Sequence, residues 1–216
     1  MKSPKLRIIN YILAVCNFAL AAILYPSLPE QIPLNWSTDG TVSYGDKYQI
    51  FLMCGMSVLF AFLFDILPKI DPRKKNYQKF SSFYDGFCIF MQGFLLVMTG
   101  IILTESFRPG TLSVPLIIML STGILFLFIG NFMPKLKSNF YMGIKTSWTL
   151  SSEEVWRKTH RLGGKCFCIA GIIMIVSAFL PDHTVTFWIT MFCTIIAAII
   201  PTVMSYIWWK QEQAGL

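Results

Sequence analysis

Residues Asn131–Gly164 read NFMPKLKSNFYMGIKTSWTLSSEEVWRKTHRLGG, the longest polar, basic interruption in a chain built otherwise mainly from apolar runs. On either side of it lie the apolar blocks Ser113–Met133 and Leu162–Leu180. Four more such blocks follow the same pattern, Leu6–Tyr25, Tyr48–Leu67, Ser82–Thr104 and Val185–Trp208. A bilayer hydrocarbon core about 30 Å thick takes roughly 20 residues of helix, a length that all six blocks approach or exceed. Composition agrees: 55% of the 216 residues are hydrophobic and only 13% charged, against about 25% charged in soluble domains, and the mean hydropathy is +0.59. Backbone amides in lipid must be satisfied within their own segment, so the blocks are helices and not open strands. The sequence therefore predicts an all-α polytopic membrane protein with six transmembrane helices.

Charge sets the expected orientation. If the compartments alternate along the chain, all but two of the 18 lysines and arginines share the side of the N-terminus, and only Lys47 and Arg108 fall on the other. By the positive-inside rule that side is the cytoplasm and both termini lie there. The net charge of +7 then serves topology and implies no direct contact with nucleic acid. The first block, preceded by Lys2, Lys5 and Arg7, lacks a small-residue cleavage pattern and reads as a retained anchor. The six cysteines sit in or beside apolar blocks without a CxxC pair, which suits buried packing rather than disulfides or a metal site. The expected organisation is one membrane bundle, with residues 1–80 as an N-terminal two-helix module bearing a structured outer loop. Residues 81–216 form a four-helix module with a long basic inner loop over 134–161.

Three connections are long enough to recognise a partner: the outer loop, the short basic first inner loop Pro68–Lys79 (PKIDPRKKNYQK) and the longer second inner loop. The outer loop, Pro26–Lys47, carries Pro26, Pro29 and Pro33 and the turn signal Asp39-Gly40 between short extended pieces at Ile32–Trp36 and Thr41–Tyr44. In the inner loop, Ser151 and Glu154 have the spacing of a capping box, with Leu150 and Val155 as a hydrophobic staple. A helix is expected from there into the fifth span, with Glu153–Arg157 and Glu154–Lys158 as i,i+4 ion pairs and with Trp156 and His160 on one face. Gly163-Gly164 allows close packing or a bend. His160 has no second ligand at metal spacing, so a structural imidazole is preferred to a metal ligand or proton carrier.

Polar residues within the spans are Asn10 and Asn17 on the first helix and Asp85, Gln92 and Thr99 on the third, each set repeating every seven residues. Interhelical hydrogen bonds account for them more simply than a transport path. No HExxH, GxSxG or phosphate-binding glycine loop is present, and the chain reads as a binder or signaller and not as an enzyme, with no cofactor or metal expected.

The inner loop resembles the SdpI family of bacterial membrane proteins. The resemblance is carried by Gly130-Asn131, Pro134-Lys135, Asn139, Gly143 through Leu150 (GIKTSWTL), Trp156, Thr159-His160 and Gly163. The outer loop is similar to the LPxxIPxHW module often joined to it, here Leu28-Pro29, Ile32-Pro33, Asn35-Trp36 and Gly40. Two departures stand out: Lys145 and Ser147 replace the usual Arg and Pro of GIRTP, and Asn35 replaces the usual His. The resemblance implies a multi-pass protein of the bacterial plasma membrane that confers immunity to a secreted, membrane-active peptide toxin. In some members this is combined with capture of a cytoplasmic autorepressor. The recognition residues expected on that basis are Lys145, Thr146, Trp148, Trp156 and His160 on the inner loop and Trp36 and Asp39 on the outer one. The alternative is a small transporter or lipid-handling protein working through the Asp85–Gln92–Thr99 face.

Overall fold

The computed structural model describes residues 3–37 and 41–215. Among these, six helices are long and apolar enough to cross a membrane, and the protein is a multi-pass helical membrane protein. The chain runs α1 (Pro4–Leu24), β1 (Gln31–Trp36), β2 (Val42–Asp46), α2 (Ile50–Ile70), a short α3 (Lys74–Tyr77) and α4 (Ser81–Phe107). It continues through α5 (Val114–Phe132), a short α6 (Ser147–Ser151), α7 (Glu153–Ser177) and α8 (His183–Gln213). The chain forms two compact units, Met1–Pro68 with Tyr84–Ile118, and Lys69–Phe83 with Met119–Leu216.

In the first unit, α1 starts on Ser3, whose hydroxyl accepts from the Leu6 amide, with Pro4 where a missing N–H costs nothing. Its buried residues are Asn10, Ala14, Asn17 and Ala21. Those of α2 are Ile50, Cys54, Ser57 and Ala61, at the same spacing. Small side chains at this period let helix backbones approach, which is how helices associate where lipid removes the hydrophobic drive. Polar groups then bond across the seams. Asn10 Nδ2 donates to Ala61 O at 3.4 Å, Gln92 Nε2 to Ser57 O at 3.1 Å, and the Tyr84 hydroxyl to Phe64 O at 2.6 Å. The Ser57 hydroxyl donates to Gln92 Oε1, Cys54 lies 3.9 Å from Thr99, and Asp85 accepts from the Ser3 amide at 3.0 Å. The polar face of α4 is thus committed to neighbouring helices.

Strands β1 and β2 pair antiparallel from Gln31↔Asp46 to Trp36↔Val42, with an irregularity between Pro33 and Asn35 where proline offers no amide hydrogen. Leu28 and Ile32 are buried with Ala21, Ile50, Cys54, Ile102 and Leu103, and Trp36 packs against the same cluster, so the hairpin is seated on helix ends. Lys47 pairs with Glu30 at 2.9 Å and lies over the Tyr25 ring. The Asp39-Gly40 turn lies outside the described residues.

In the second unit α5 and α7 meet backbone to backbone. A Cβ on Gly171 would stand 2.7 Å from Gly123 O, and one on Gly164 would stand 2.7 Å from Gly130 O. These two contacts are seven residues apart on each helix, so glycine is the residue that fits all four positions. Gly163-Gly164 therefore serves close packing. Ala170, Met174 and Ala197 form the core between α7 and α8, with Phe126, Phe167, Cys166 and Cys193 around it.

Gln92→Leu is expected to cost about 1–2 kcal/mol of stability, because it strands the Ser57 hydroxyl in an apolar seam. Adding Ser57→Ala should recover part of that loss, since both partners are then apolar. Thermal unfolding of the two variants in detergent would measure this, and a double variant that sums the two single losses would contradict the paired arrangement.

Candidate functional site

The basic loop is held in one conformation by side chains from the preceding 69–83 segment of the same unit. Asp71, a lone acid among cations in IDPRKKNYQK, is buried. It accepts from the Arg73 amide at 2.6 Å, the Phe140 amide at 2.9 Å and the Tyr77 hydroxyl at 3.2 Å. Arg73 donates to the Ser138 hydroxyl and, at 2.8 Å, to Leu150 O; it sits over the Phe140 ring and 4.0 Å from Glu153. A planar fork with five donors suits this bridging of distant segments, and a lysine could not reproduce it. Asn76 donates to Ser138 O at 2.8 Å.

Asn139 organises the turn that follows. Its Oδ1 accepts from the amides of Tyr141 (2.9 Å) and Met142 (2.6 Å), and its Nδ2 donates to Lys137 O and Met142 O. Gly143 then adopts φ +102°, and a Cβ there would collide with the His160 ring. The turn directs the Ile144 amide onto His160 Nε2 at 3.0 Å. Since Nε2 accepts, the proton sits on Nδ1, which donates to Trp156 O at 2.8 Å. Trp156 stacks on the imidazole at 4.0 Å and donates its own Nε1–H to Leu136 O at 2.9 Å. Both nitrogens of His160 are engaged, and the neutral ring is a brace.

The next segment differs from the expected helix start. Thr146 caps the short α6 and exchanges hydrogen bonds with Thr149, which is the capping box that forms here. Ser151 ends α6, and Ser152 caps α7 by accepting from the Val155 amide at 3.2 Å. The cap thus falls one residue beyond the expected Ser151, and the Leu150–Val155 staple loses its register. The reason is local: TSWTLSSEE holds five hydroxyl residues, and the turn capped by Thr146 takes up Ser151, whose hydroxyl donates to Trp148 O. Glu154 pairs with Lys158 at 3.0 Å as expected, while Glu153 faces Arg73 instead of Arg157.

Of the inner-loop residues singled out from sequence, the structure brings all five into the second unit but exposes them unequally. Lys145 is exposed, with Nζ near Phe140 O and Tyr141 O at 3.2 Å, and Thr146 and Trp148 are half-buried. Trp148 donates to the Ser205 hydroxyl and meets Tyr206 edge-on at 5.3 Å. Trp156 and His160 are 2% and 1% exposed and hold the others in place. Trp36 belongs to the first unit, where it packs on the hairpin's cluster, and Asp39 lies outside the described residues. Sequence reading missed Asp71, Arg73, Tyr77 and Asn139 as one network; the lone acid in a basic run was the signal available.

Beside Trp148 opens a cleft of about 990 Å³ walled by Trp148 and Trp209, with Glu153, Glu154 and Glu212 around it. Glu212 accepts from the Ser152 hydroxyl at 3.0 Å. Among the described residues no lysine or arginine lines this cleft, and no group of three His, Cys, Asp or Glu side chains is placed to hold a metal ion.

Six spans, a hydrogen-bonded loop and a cleft walled by two tryptophans describe a multi-pass membrane protein whose polar groups bond across its helices and within its loop. Comparison with known proteins adds a likeness to this description. Residues 135–205 match the model of the SdpI/YfhL protein family, and residues 12–58 match a domain of unknown function (DUF1648). Over 208 residues, 96% of this chain and 97% of the other, the sequence is 26% identical to the Immunity protein SdpI of Bacillus subtilis (strain 168). The likeness drawn from the loop motifs is borne out. No solved structure matches.

Asp71→Ala leaves the Phe140 amide and Tyr77 hydroxyl without this acceptor and should cost about 1–3 kcal/mol. Tryptic cleavage at Lys137 and Lys145 in nanodisc-held protein should accelerate several-fold. Cleavage at the wild-type rate would show that Asp71 does not hold the loop.

Proposed function

We propose that this protein protects its cell from a secreted, membrane-active peptide toxin. The likeness to an immunity protein along nearly the whole chain carries this reading. The proposed setting is a bacterial plasma membrane with both termini cytoplasmic, which the lopsided division of lysine and arginine supports. The hairpin connection then faces the toxin, with Trp36 and Asp39 as its recognition residues, and the basic loop faces the cytosol.

The same loop serves as a signalling surface that holds a cytoplasmic repressor. Supporting this, Lys145, Thr146 and Trp148 reach the surface from a scaffold that fixes them, and Trp148 forms one wall of the acidic cleft. A DNA-binding protein carries a basic face for phosphate; the Trp148 and Trp209 indoles suit its cations by cation–π contact and Glu212 by charge, while Glu153 and Glu154 already face Arg73 and Lys158. Toxin binding has to favour one of two loop states for this to work, so its affinity for the two must differ. The transport alternative gains little support, because Gln92, Thr99 and Asp85 already bond to neighbouring segments.

Trp148→Ala or Lys145→Ala should lower survival under toxin about tenfold or more, as loss of roughly 1.4 kcal/mol at a contact implies. Gln92→Leu should leave survival nearly unchanged, and the reverse pattern would refute toxin immunity through this loop. Glu212→Gln separates the two roles. It should abolish toxin-dependent derepression of a reporter while survival persists, and intact derepression would remove the cleft from the signalling surface.

A further inference from the structure

We propose that a groove along α1 binds one acyl chain of an anionic phospholipid, with the lipid phosphate held by Arg7. The groove, about 560 Å³, follows α1 from Arg7 and Ile8 past Tyr11, Ile12 and Val15 to Cys16, with Asp65 of α2 at its charged end. The nine steps from Arg7 to Cys16 rise roughly 13 Å along a helix. That is close to half of the ~30 Å hydrocarbon core, the depth of one leaflet.

Polarity is arranged along this length as in a phospholipid. Ile8, Ile12 and Val15 are 57%, 52% and 60% exposed, so the apolar wall has no protein cover. The ionic groups stand together at one end. Arg7 lies 3.9 Å from Asp65, and the two side chains are 48% and 14% exposed. A charge-assisted hydrogen bond would be about 2.7–2.9 Å, so this loose pair leaves most of the five guanidinium donors for another acceptor. A phosphate takes two of them in parallel. Lys5, exposed on the turn before Ile8 and Ile12, adds a second positive charge against the single Asp65 carboxylate. The headgroup end thus favours a lipid of net negative charge over a zwitterionic one, in the leaflet that holds the N-terminus. A free phosphate would meet only the charged end and leave the apolar wall unused.

Delipidated full-length protein in uncharged detergent provides the test, with lipid retention read by native mass spectrometry and protection by thermal unfolding. Dioleoylphosphatidylglycerol should be retained about fivefold better than dioleoylphosphatidylcholine. Arg7→Gln should bring that preference down to about twofold or less, and Arg7→Lys should restore part of it. Val15→Trp, at a position facing away from the protein, should fill the apolar part and lower retention of both lipids while leaving the fold intact. Equal retention of the two lipids by the wild type, or an undiminished preference in Arg7→Gln, would overturn the proposal. Equal protection by inorganic phosphate alone would also overturn it, by showing that no acyl chain is needed.

Discussion

Polar atoms withdrawn from water must find partners inside the protein, and both units of this chain are organised around that requirement. In the first unit it is met for the most part between helices: Gln92 answers Ser57, Asn10 Nδ2 answers Ala61 O, and Asp85 answers the Ser3 amide just ahead of α1, whereas the buried Asn17 side chain, expected to bond across a seam, finds no hydrogen-bond partner among the described residues. In the second unit it is met in the loop, where Asp71, Asn139 and His160 accept the amides of Phe140 to Met142 and of Ile144. Each interhelical bond is worth only about 0.6 kcal/mol on average in a membrane protein. Their effect is on register, because a shifted helix would leave several groups unsatisfied at once, each at a cost of several kcal/mol.

The loop divides its residues between holding and meeting. Trp156, His160, Asn139, Thr149 and Asp71 are buried and spend their hydrogen-bonding capacity on other loop groups. Lys145 and Trp148 reach the surface because those residues are fixed. A contact residue on a mobile loop would lose conformational freedom upon binding, at roughly 0.5–1.5 kcal/mol per ordered side chain. Most of that ordering is already present here. The replacement of the usual arginine by Lys145 fits the observed geometry, since its ammonium meets two carbonyl oxygens in the Phe140–Tyr141 turn and needs no planar fork.

The six spans were legible because a bilayer filters for length and polarity, two quantities a sequence displays directly. Ends were less so. Hydropathy alone starts the fifth span at Leu162; the cap signal and the Glu154–Lys158 pair extend the expected helix back to Ser151, and α7 begins at Glu153 with Ser152 as its cap. Five hydroxyl residues lie from Thr146 to Ser152, and the local bonds of Thr149 to Ile144 O and Thr146 select which of them cap a helix. The seven-residue spacing of Gly123 and Gly130, and of Gly164 and Gly171, is present in the sequence, but nothing in it says that the two pairs face each other. Arg73 was counted as topological charge. Its bonds to Ser138 and Leu150 join residues more than sixty positions apart, which no local pattern encodes.

The glycine contacts give α7 a mechanical character. This helix runs unbroken from Ser152 in the loop to Ser177 in the membrane-spanning part, and it touches α5 at Gly164 and Gly171. Sliding by a residue would drive side chains into backbone oxygens, so translation along the axis is blocked. Two contacts about 10 Å apart along the axis resist rocking against α5 as well. Gly164 lies about 16 Å from the Glu153 end and about 20 Å from the Ser177 end at 1.5 Å per residue. The helix is therefore clamped to α5 over its middle, and the Glu153 end and the Ser177 end extend from that clamp as two arms.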